Sequence, residues 1–213
     1  MNILFLIRSL DCGGAERQLV VLARALHQRG HKVSVAVCYS GGPLEADLKE
    51  SSVRMIALNK RGRWDMVGFL LRLIRTVRSE RPDLLHTYIV DLMAVFVQPF
   101  LRSMKIVWSI RNSNMDFSRY DWLCGVSYTL NCWFSRCADL IISNSHIGRQ
   151  IHVADGYPAD RTVVIPNGID TNRFRPDADA RERIRVQWGV ERGEVLIGLV
   201  GRLDPQKDHE TFL

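Results

Sequence analysis

Short apolar runs alternate with longer amphipathic stretches through the first 165 residues of the chain. The runs Ile3–Ile7, Val33–Cys38, Arg54–Leu58, Asp83–Tyr88, Ile106–Ile110, Leu140–Ser143 and Val163–Ile165 read as short strands, mostly buried on both faces. Between them, apolar residues recur at three- and four-residue spacing. This predicts helices over Ala15–Arg29, Met66–Ser79, Asp91–Arg102, Tyr120–Ala138 and His146–Ala154. Gly30 stands where a left-handed residue ends a helix, with Arg29 and His31 near the negative end of the dipole. Alternation of this kind predicts an α/β fold, a Rossmann-like parallel sheet with helices on both faces.

The texture changes after Ile165. Pro166-Asn167-Gly168 is a turn signal, and the polar stretch to Asp179, which includes Pro176, reads as a linker. A charged helix is expected near Ala180–Trp188, then a buried-strand run from Val195 to Gly201, then a loop and the opening turn of a helix up to Leu213. The expected organisation is a first domain over 1–165, a linker with its charged helix over 166–193, and the first strand and loop of a truncated second Rossmann-like domain over 194–213.

Composition narrows the classes. Of 213 residues, 46% are hydrophobic and 24% charged, which excludes disordered, collagenous and coiled-coil chains. The cysteines at 12, 38, 124, 132 and 137 are odd in number and lack any Cys-x-x-Cys. Small buried hydrophobes in a reducing compartment are expected rather than a disulfide framework or a structural zinc site. The opening apolar run stops at Arg8, and the stretch from Leu84 to Leu101 is interrupted by His86, Asp91, Gln98 and Pro99. Neither a leader nor a membrane span is expected, which places the chain in the cytoplasm.

The net charge of +6 is concentrated in one segment. Between Lys60 and Arg81, seven bases (60, 61, 63, 72, 75, 78 and 81) face only Asp65 and Glu80. The segment also reads as a helix, with Asp65 as N-cap and Val67, Leu70, Leu71, Ile74 and Val77 at helical spacing. Two readings stay open. It is a core stripe with Arg72 and Arg75 turned outward, or a basic amphipathic surface for anionic lipid, assisted by Trp64 and Phe69. No aromatic platform accompanies the charge, so no nucleic-acid partner is expected.

Four places carry candidate chemistry. Gly13 and Gly14 lie between the first strand and its helix, where bare backbone and unpaired N–H groups can meet a phosphate. The dinucleotide fingerprint is absent, and the second strand ends at Cys38-Tyr39 rather than at an acid, which disfavours an NAD enzyme. His86 is expected to close the fourth strand at the carboxyl edge, and Arg111, Asn112 and Asn114 to end the fifth at the same edge. Arg202 and Lys207 follow the last apolar run beside Gly201, as a pair of cations able to clamp a diphosphate. Asp177-Ala178-Asp179 matches an Asp-x-Asp metal pattern but lies in the linker and reads as solvated loop, so no metal site is expected.

Together these blocks resemble the family-4 (group 1) retaining glycosyltransferases of GT-B architecture. The resemblance is carried by Gly13-Gly-Ala-Glu-Arg-Gln18, Arg81-Pro-Asp-Leu-Leu-His86-Thr87 and Trp108-Ser-Ile-Arg-Asn-Ser-Asn114. Further on come Ser143-Asn-Ser145, Val164-Ile-Pro-Asn-Gly-Ile-Asp170 with Arg173-Phe174, and Val200-Gly-Arg-Leu-Asp-Pro-Gln-Lys207. It implies two Rossmann-like domains facing across a cleft, with this chain supplying the acceptor-side domain. It implies transfer of a sugar from a nucleotide sugar to an acceptor hydroxyl with retention, without metal or cofactor, in polysaccharide, glycolipid or cell-surface glycan synthesis. By resemblance His86, Arg111 and Asp91 are catalytic candidates, and Gly13, Gly14, Arg202 and Lys207 bind donor phosphates. Glu16, Tyr88, Asn112 and Asn114 face a carbohydrate or lipid-linked acceptor, and Trp64, Arg72 and Arg75 an anionic inner membrane surface. Tyr88 stands where many members carry a second histidine, and the Glu-x7-Glu donor motif is absent, so the chain by itself is expected to be inactive. The alternatives are a non-catalytic sugar- or membrane-binding module and a GT-B nucleotide-sugar epimerase.

Overall fold

The computed structural model describes the whole chain except residues 63, 101–103, 113–120, 202, 205 and 206. It divides into two units, 1–167 and 168–213.

The first unit is built on seven strands: β1 (Asn2–Ile7), β2 (Lys32–Val37), β3 (Arg54–Ala57), β4 (Leu84–Tyr88), β5 (Lys105–Ile110), β6 (Leu140–Ser143) and β7 (Thr162–Val164). They form one sheet in the order β3-β2-β1-β4-β5-β6-β7, and every pairing is parallel. The predicted doubly covered sheet is therefore present. Each of β1, β2 and β5 buries five of its six residues, because helices cover them from opposite sides.

Alternation along β1 divides the core in two. Ile3, Phe5 and Ile7 face Leu19, Val20 and Ala23 of α1 (Gly14–Gln28) and Leu48 of α2 (Glu45–Glu50). Leu4 and Leu6 join the other cluster, with Phe69, Leu73 and Val77 of α3 (Met66–Glu80) and Ala94 and Val97 of α4 (Asp91–Val97). Fully buried Trp108 of β5 lies in this second cluster. The layer continues through α5 (Trp122–Phe134) and α6 (His146–Ala154).

Several boundaries differ from expectation for local reasons. The fourth helix stops at Val97 and gives way to a 3-10 turn over Gln98–Phe100, as Pro99 has no N–H to continue the α ladder. Helix α2 carries too few apolar residues to be read from the sequence. It is held instead by half-buried backbone: the Glu45 carboxylate accepts from Gly41 N at 2.6 Å and Gly42 N at 3.3 Å. There the chain passes so close to β1's loop that a Cβ on Gly42 would fall 2.4 Å from the Leu10 carbonyl. The cysteine expectation holds for buried Cys38 but not for exposed Cys12; Cys124, Cys132 and Cys137 are half-buried, and all five are free.

The second unit contains α7 (Ala178–Gln187) and α8 (His209–Phe212). Asp177, read earlier as part of a solvated loop, caps α7 by accepting from Ala180 N at 2.8 Å. The expected strand over 195–201 is not formed. Val195 is 83% exposed and Val200 fully so, because a strand is held by a neighbour's backbone and no other strand occurs among this unit's described residues.

The Gly42 contact makes a stability prediction. Gly42→Ala should lower the unfolding free energy by about 1–3 kcal/mol, since the added methyl meets rigid backbone. Gly14→Ala, whose methyl meets nothing within 4 Å, should change it by less than about 0.5 kcal/mol. Urea denaturation followed by circular dichroism measures both.

Candidate functional site

Parallel strands bring all their carboxyl ends to one edge, and the strand order reverses between β1 and β4. Open α/β sheets bind ligands in the crevice at such a reversal. Here Ile7 ends β1 opposite Tyr88, which ends β4.

The β1–α1 loop forms one wall of this edge. Gly13 is the N-cap of α1 and gives no side-chain cap. The first intrahelical bond is Arg17 N to Gly13 O at 3.0 Å, so the amides of Gly14, Ala15 and Glu16 have no acceptor inside the helix. The two glycines serve different ends. Glu16 folds its carboxylate to within 2.0 Å of where a Gly13 Cβ would be, placing a negative charge beside the positive end of the dipole. Gly14 faces open space. An anion arriving at this N-terminus meets bare backbone at Gly14 and a carboxylate at Glu16.

The other wall is organised by Arg111. Its Nη1 donates to Asn167 Oδ1 at 2.8 Å, and its Nη2 donates to Tyr88 Oη at 2.7 Å and to Ser109 Oγ at 3.3 Å. The guanidinium carbon also lies 4.5 Å from the Tyr88 ring centroid. One cation thus ties together the ends of β4, β5 and the segment after β7. Held by three residues, it is a fixed charge rather than a mobile clamp.

His86 is the third of β4's five residues rather than its last, and is buried between neighbouring strands. This corrects its expected place at the strand end: both Thr87 and Tyr88 remain in the ladder. Its Nε2 lies 2.7 Å from Ser109 Oγ, and its ring packs at a tilt against Phe5 and Tyr88, with centroids 5.2 and 4.9 Å away. Burial, aided by the Arg111 charge, pushes its pKa down to about 3, so the imidazole is neutral at physiological pH. Arg111 donates to Ser109 Oγ, which leaves the serine proton free to donate to His86 Nε2. Burial also raises the Tyr88 phenol, against the pull of Arg111, so it stays protonated.

Asp91 belongs to a different group. It opens α4 and accepts from Thr87 Oγ1. Thr87 alternates with His86 and Tyr88 along β4 and so faces the α3–α5 side. The structure therefore separates Asp91 from His86 and Arg111 by the thickness of the sheet. Burial pushes the Asp91 carboxyl up to about 7.

The remaining candidates disperse. Asn112 follows β5 at the same edge, half-buried, while Asn114 and Arg202 lie outside the described residues. Lys207 is in the second unit, packed along Gly201. Trp64, just before α3, is 88% exposed and Arg75 on α3 is exposed, but Arg72 is not a free cation. Its Nε donates to Leu58 O at 2.7 Å and its Nη2 pairs with Asp65, so it ties the helix to the preceding loop. Phe69, expected to assist at the surface, is wholly buried. Sequence reasoning missed Ser109 and Asn167. A lone serine at an inward strand position two before Arg111 was the signal for the first, and the second was read only as a turn residue.

Residues 12–173, more than half of the chain, match the family described as Glycosyltransferase Family 4. The chain is 25% identical over 191 residues to the UDP-Gal:alpha-D-GlcNAc-diphosphoundecaprenol alpha-1,3-galactosyltransferase of Escherichia coli, covering 83% of this chain and 47% of that protein. It is 33% identical over 76 residues to a GDP-mannose-dependent alpha-(1-6)-phosphatidylinositol monomannoside mannosyltransferase of Mycolicibacterium smegmatis, covering 36% and 20%. In fold it is similar to HepE of Anabaena, solved with UDP and glucose, at a TM-score of 0.76 and 23% identity, covering 99% of this chain and 56% of that one. The chain spans about half the length of both the Escherichia coli relative and HepE. It belongs to Glycosyltransferase Family 4.

Proposed function

We propose that the chain is the acceptor-side part of a glycosyltransferase, moving a sugar from a nucleotide sugar to a hydroxyl of a carbohydrate or lipid-linked acceptor with retention at the anomeric carbon. The observation that carries this reading is that an uncapped helix N-terminus and the fixed Arg111 cation stand on the same carboxyl edge, beside the β1–β4 reversal. Both features suit a diphosphate. The name of the Escherichia coli relative gives a sugar diphosphate as its acceptor, and HepE was solved with UDP; both support the reading.

In the proposed step, the bond from the anomeric carbon to the diphosphate oxygen breaks and the bond to the acceptor oxygen forms on the same face. The acceptor proton passes to the departing diphosphate. Positive charge comes from Arg111 and the α1 amides, with no resident metal or cofactor. His86 is a positioning residue: neutral, it orients Ser109 and through it Arg111. Asp91, remote from this group, supports the start of α4, and the acceptor lies against Gly14, Glu16 and Asn112; Tyr88, expected to face the acceptor, is fully buried and acts only by holding Arg111. The protein acts at the cytoplasmic face of an anionic membrane, which Trp64 and Arg75 contact.

The assay supplies nucleotide sugars and lipid-linked acceptors to the protein that carries this chain and reads the product anomer by NMR. Retention supports the proposal; an inverted product, or an epimerised donor with no transfer, overturns it. Arg111→Lys cannot reach Tyr88, Ser109 and Asn167 together, and should lower kcat by about 10²–10³ with the fold intact.

The buried groups also set a pH signature. Between about pH 3 and 6.5 the unfolded chain binds a proton on His86 that the folded chain refuses, so this group makes stability rise with pH. Between pH 3.8 and about 7 the folded chain keeps a proton on Asp91 that the unfolded chain loses, so this one makes stability fall with pH. The two offset each other where the windows overlap. His86→Gln should leave stability falling with pH, relative to the parent, by about 1.4 kcal/mol per unit between pH 4 and 6.5, and Asp91→Asn should leave it rising by as much. Denaturant titrations at stepped pH check both slopes.

A further inference from the structure

Helix α5 breaks the pattern of a surface helix. A helix on a soluble core carries one apolar stripe inward and a polar face outward. The thirteen residues of α5, Trp122-Leu-Cys-Gly-Val-Ser-Tyr-Thr-Leu-Asn-Cys-Trp-Phe134, include no charged side chain and no fully buried one. Trp122, Val126, Leu130 and Trp133 fall within an arc of about 80° on its surface. Both tryptophans are nearly three-quarters exposed or more, at 72% and 75%.

The neighbouring helices extend the same surface. Helix α4 packs against both α3 and α5 and exposes Phe96. Helix α3 exposes Val67 and Leu71, with Arg75 and Arg78 following on the same arc. The three helices hold only five charged residues. Glu80 is buried against Arg54 at 3.1 Å, Asp91 is turned to Thr87, and Arg72 is tied to Leu58 and Asp65. The exposed charges left on these helices are Arg75 and Arg78, both positive. The acid at the margin, Asp121, caps α5 by accepting from Leu123 N at 3.3 Å.

We propose that the outer face of α3, α4 and α5 is a docking surface for an anionic phospholipid bilayer, with α5 lying in the interface and Trp122 and Trp133 as its anchors. A tryptophan ring buries apolar area at the headgroup boundary while its N–H stays wet. Arginines beside an apolar stripe add attraction to anionic headgroups. No helix among the described residues is long and apolar enough to cross a membrane, so the contact is one of lying on the bilayer. In a parallel α/β unit the helices start at the carboxyl edge, so Trp122 stands at the end of α5 that shares its edge with Arg111 and Tyr88. Docking on this face brings the crevice to the membrane surface, within reach of a headgroup.

This deepens the membrane contact proposed above, moving its anchor from Trp64 to α5, and it does not depend on sugar transfer. Sedimentation of the 213-residue chain with vesicles of phosphatidylcholine, or of equal parts phosphatidylcholine and phosphatidylglycerol, tests it without any catalytic readout. The chain should bind the mixed vesicles and release from them as salt rises. Arg75→Ala with Arg78→Ala should weaken that binding about thirty-fold, roughly a factor of five for each charge. Trp122→Ser with Trp133→Ser should weaken it about tenfold or more while the urea unfolding curve stays in place. Equal sedimentation of the tryptophan variant and the parent would overturn the proposal. So would a parent chain that ignores vesicles and forms a dimer that the tryptophan substitutions dissociate, since the face would then be an interface between two copies.

Discussion

Parallel pairing is the constraint on which the rest depends. A parallel strand cannot return by a tight turn, so each connection crosses the sheet's face as a helix. Every strand's carboxyl end and every crossover helix's N-terminus therefore falls on one edge. The pairing of β1 with β4 sets where on that edge the order reverses. Gly14, Tyr88 and Arg111 are far apart in sequence and come to one edge of the sheet through this arrangement alone. The same rule puts α3, α4 and α5 side by side, which gathers their apolar and basic outer residues into one surface.

Within that frame, Arg111 converts fold into electrostatics. Its three side-chain acceptors lie on β4, on β5 and after β7, so its charge is fixed by the sheet's own register. The field it creates helps keep His86 neutral, and a neutral imidazole can accept from Ser109 rather than repel the guanidinium. Charge, tautomer and register support one another, which makes the cluster preorganised before any ligand arrives.

The strands and crossover helices were legible because each is a one-dimensional pattern: a short apolar run or a 3.6-residue stripe. What could not be read were features that depend on a distant partner. Val195–Val200 has the composition of a buried strand, yet it stays exposed, with no neighbouring strand among the described residues of its unit. Arg72 and Arg75 look alike on a helical wheel, but the long Arg72 side chain folds back to the Leu58 carbonyl. His86 was recognised as notable and misplaced at the strand's end, because only the pairing of Thr87 and Tyr88 shows that the ladder continues past it. Asn167 sits 56 residues from Arg111, and nothing local marks it as that cation's acceptor.

The central claim is that the carboxyl-edge crevice between the α1 N-terminus and Arg111 receives a sugar diphosphate. The most direct measurement is an amide and guanidinium NMR titration of the isotopically labelled chain with a sugar diphosphate bearing a short alkyl tail. The account predicts saturable shifts at Gly14, Ala15 and Glu16 and at the Arg111 side chain. The amino-edge residues Asn2, Lys32 and Leu84 should stay unmoved. Shifts confined to the amino edge, or none at the α1 N-terminus and Arg111 at saturating ligand, would contradict it.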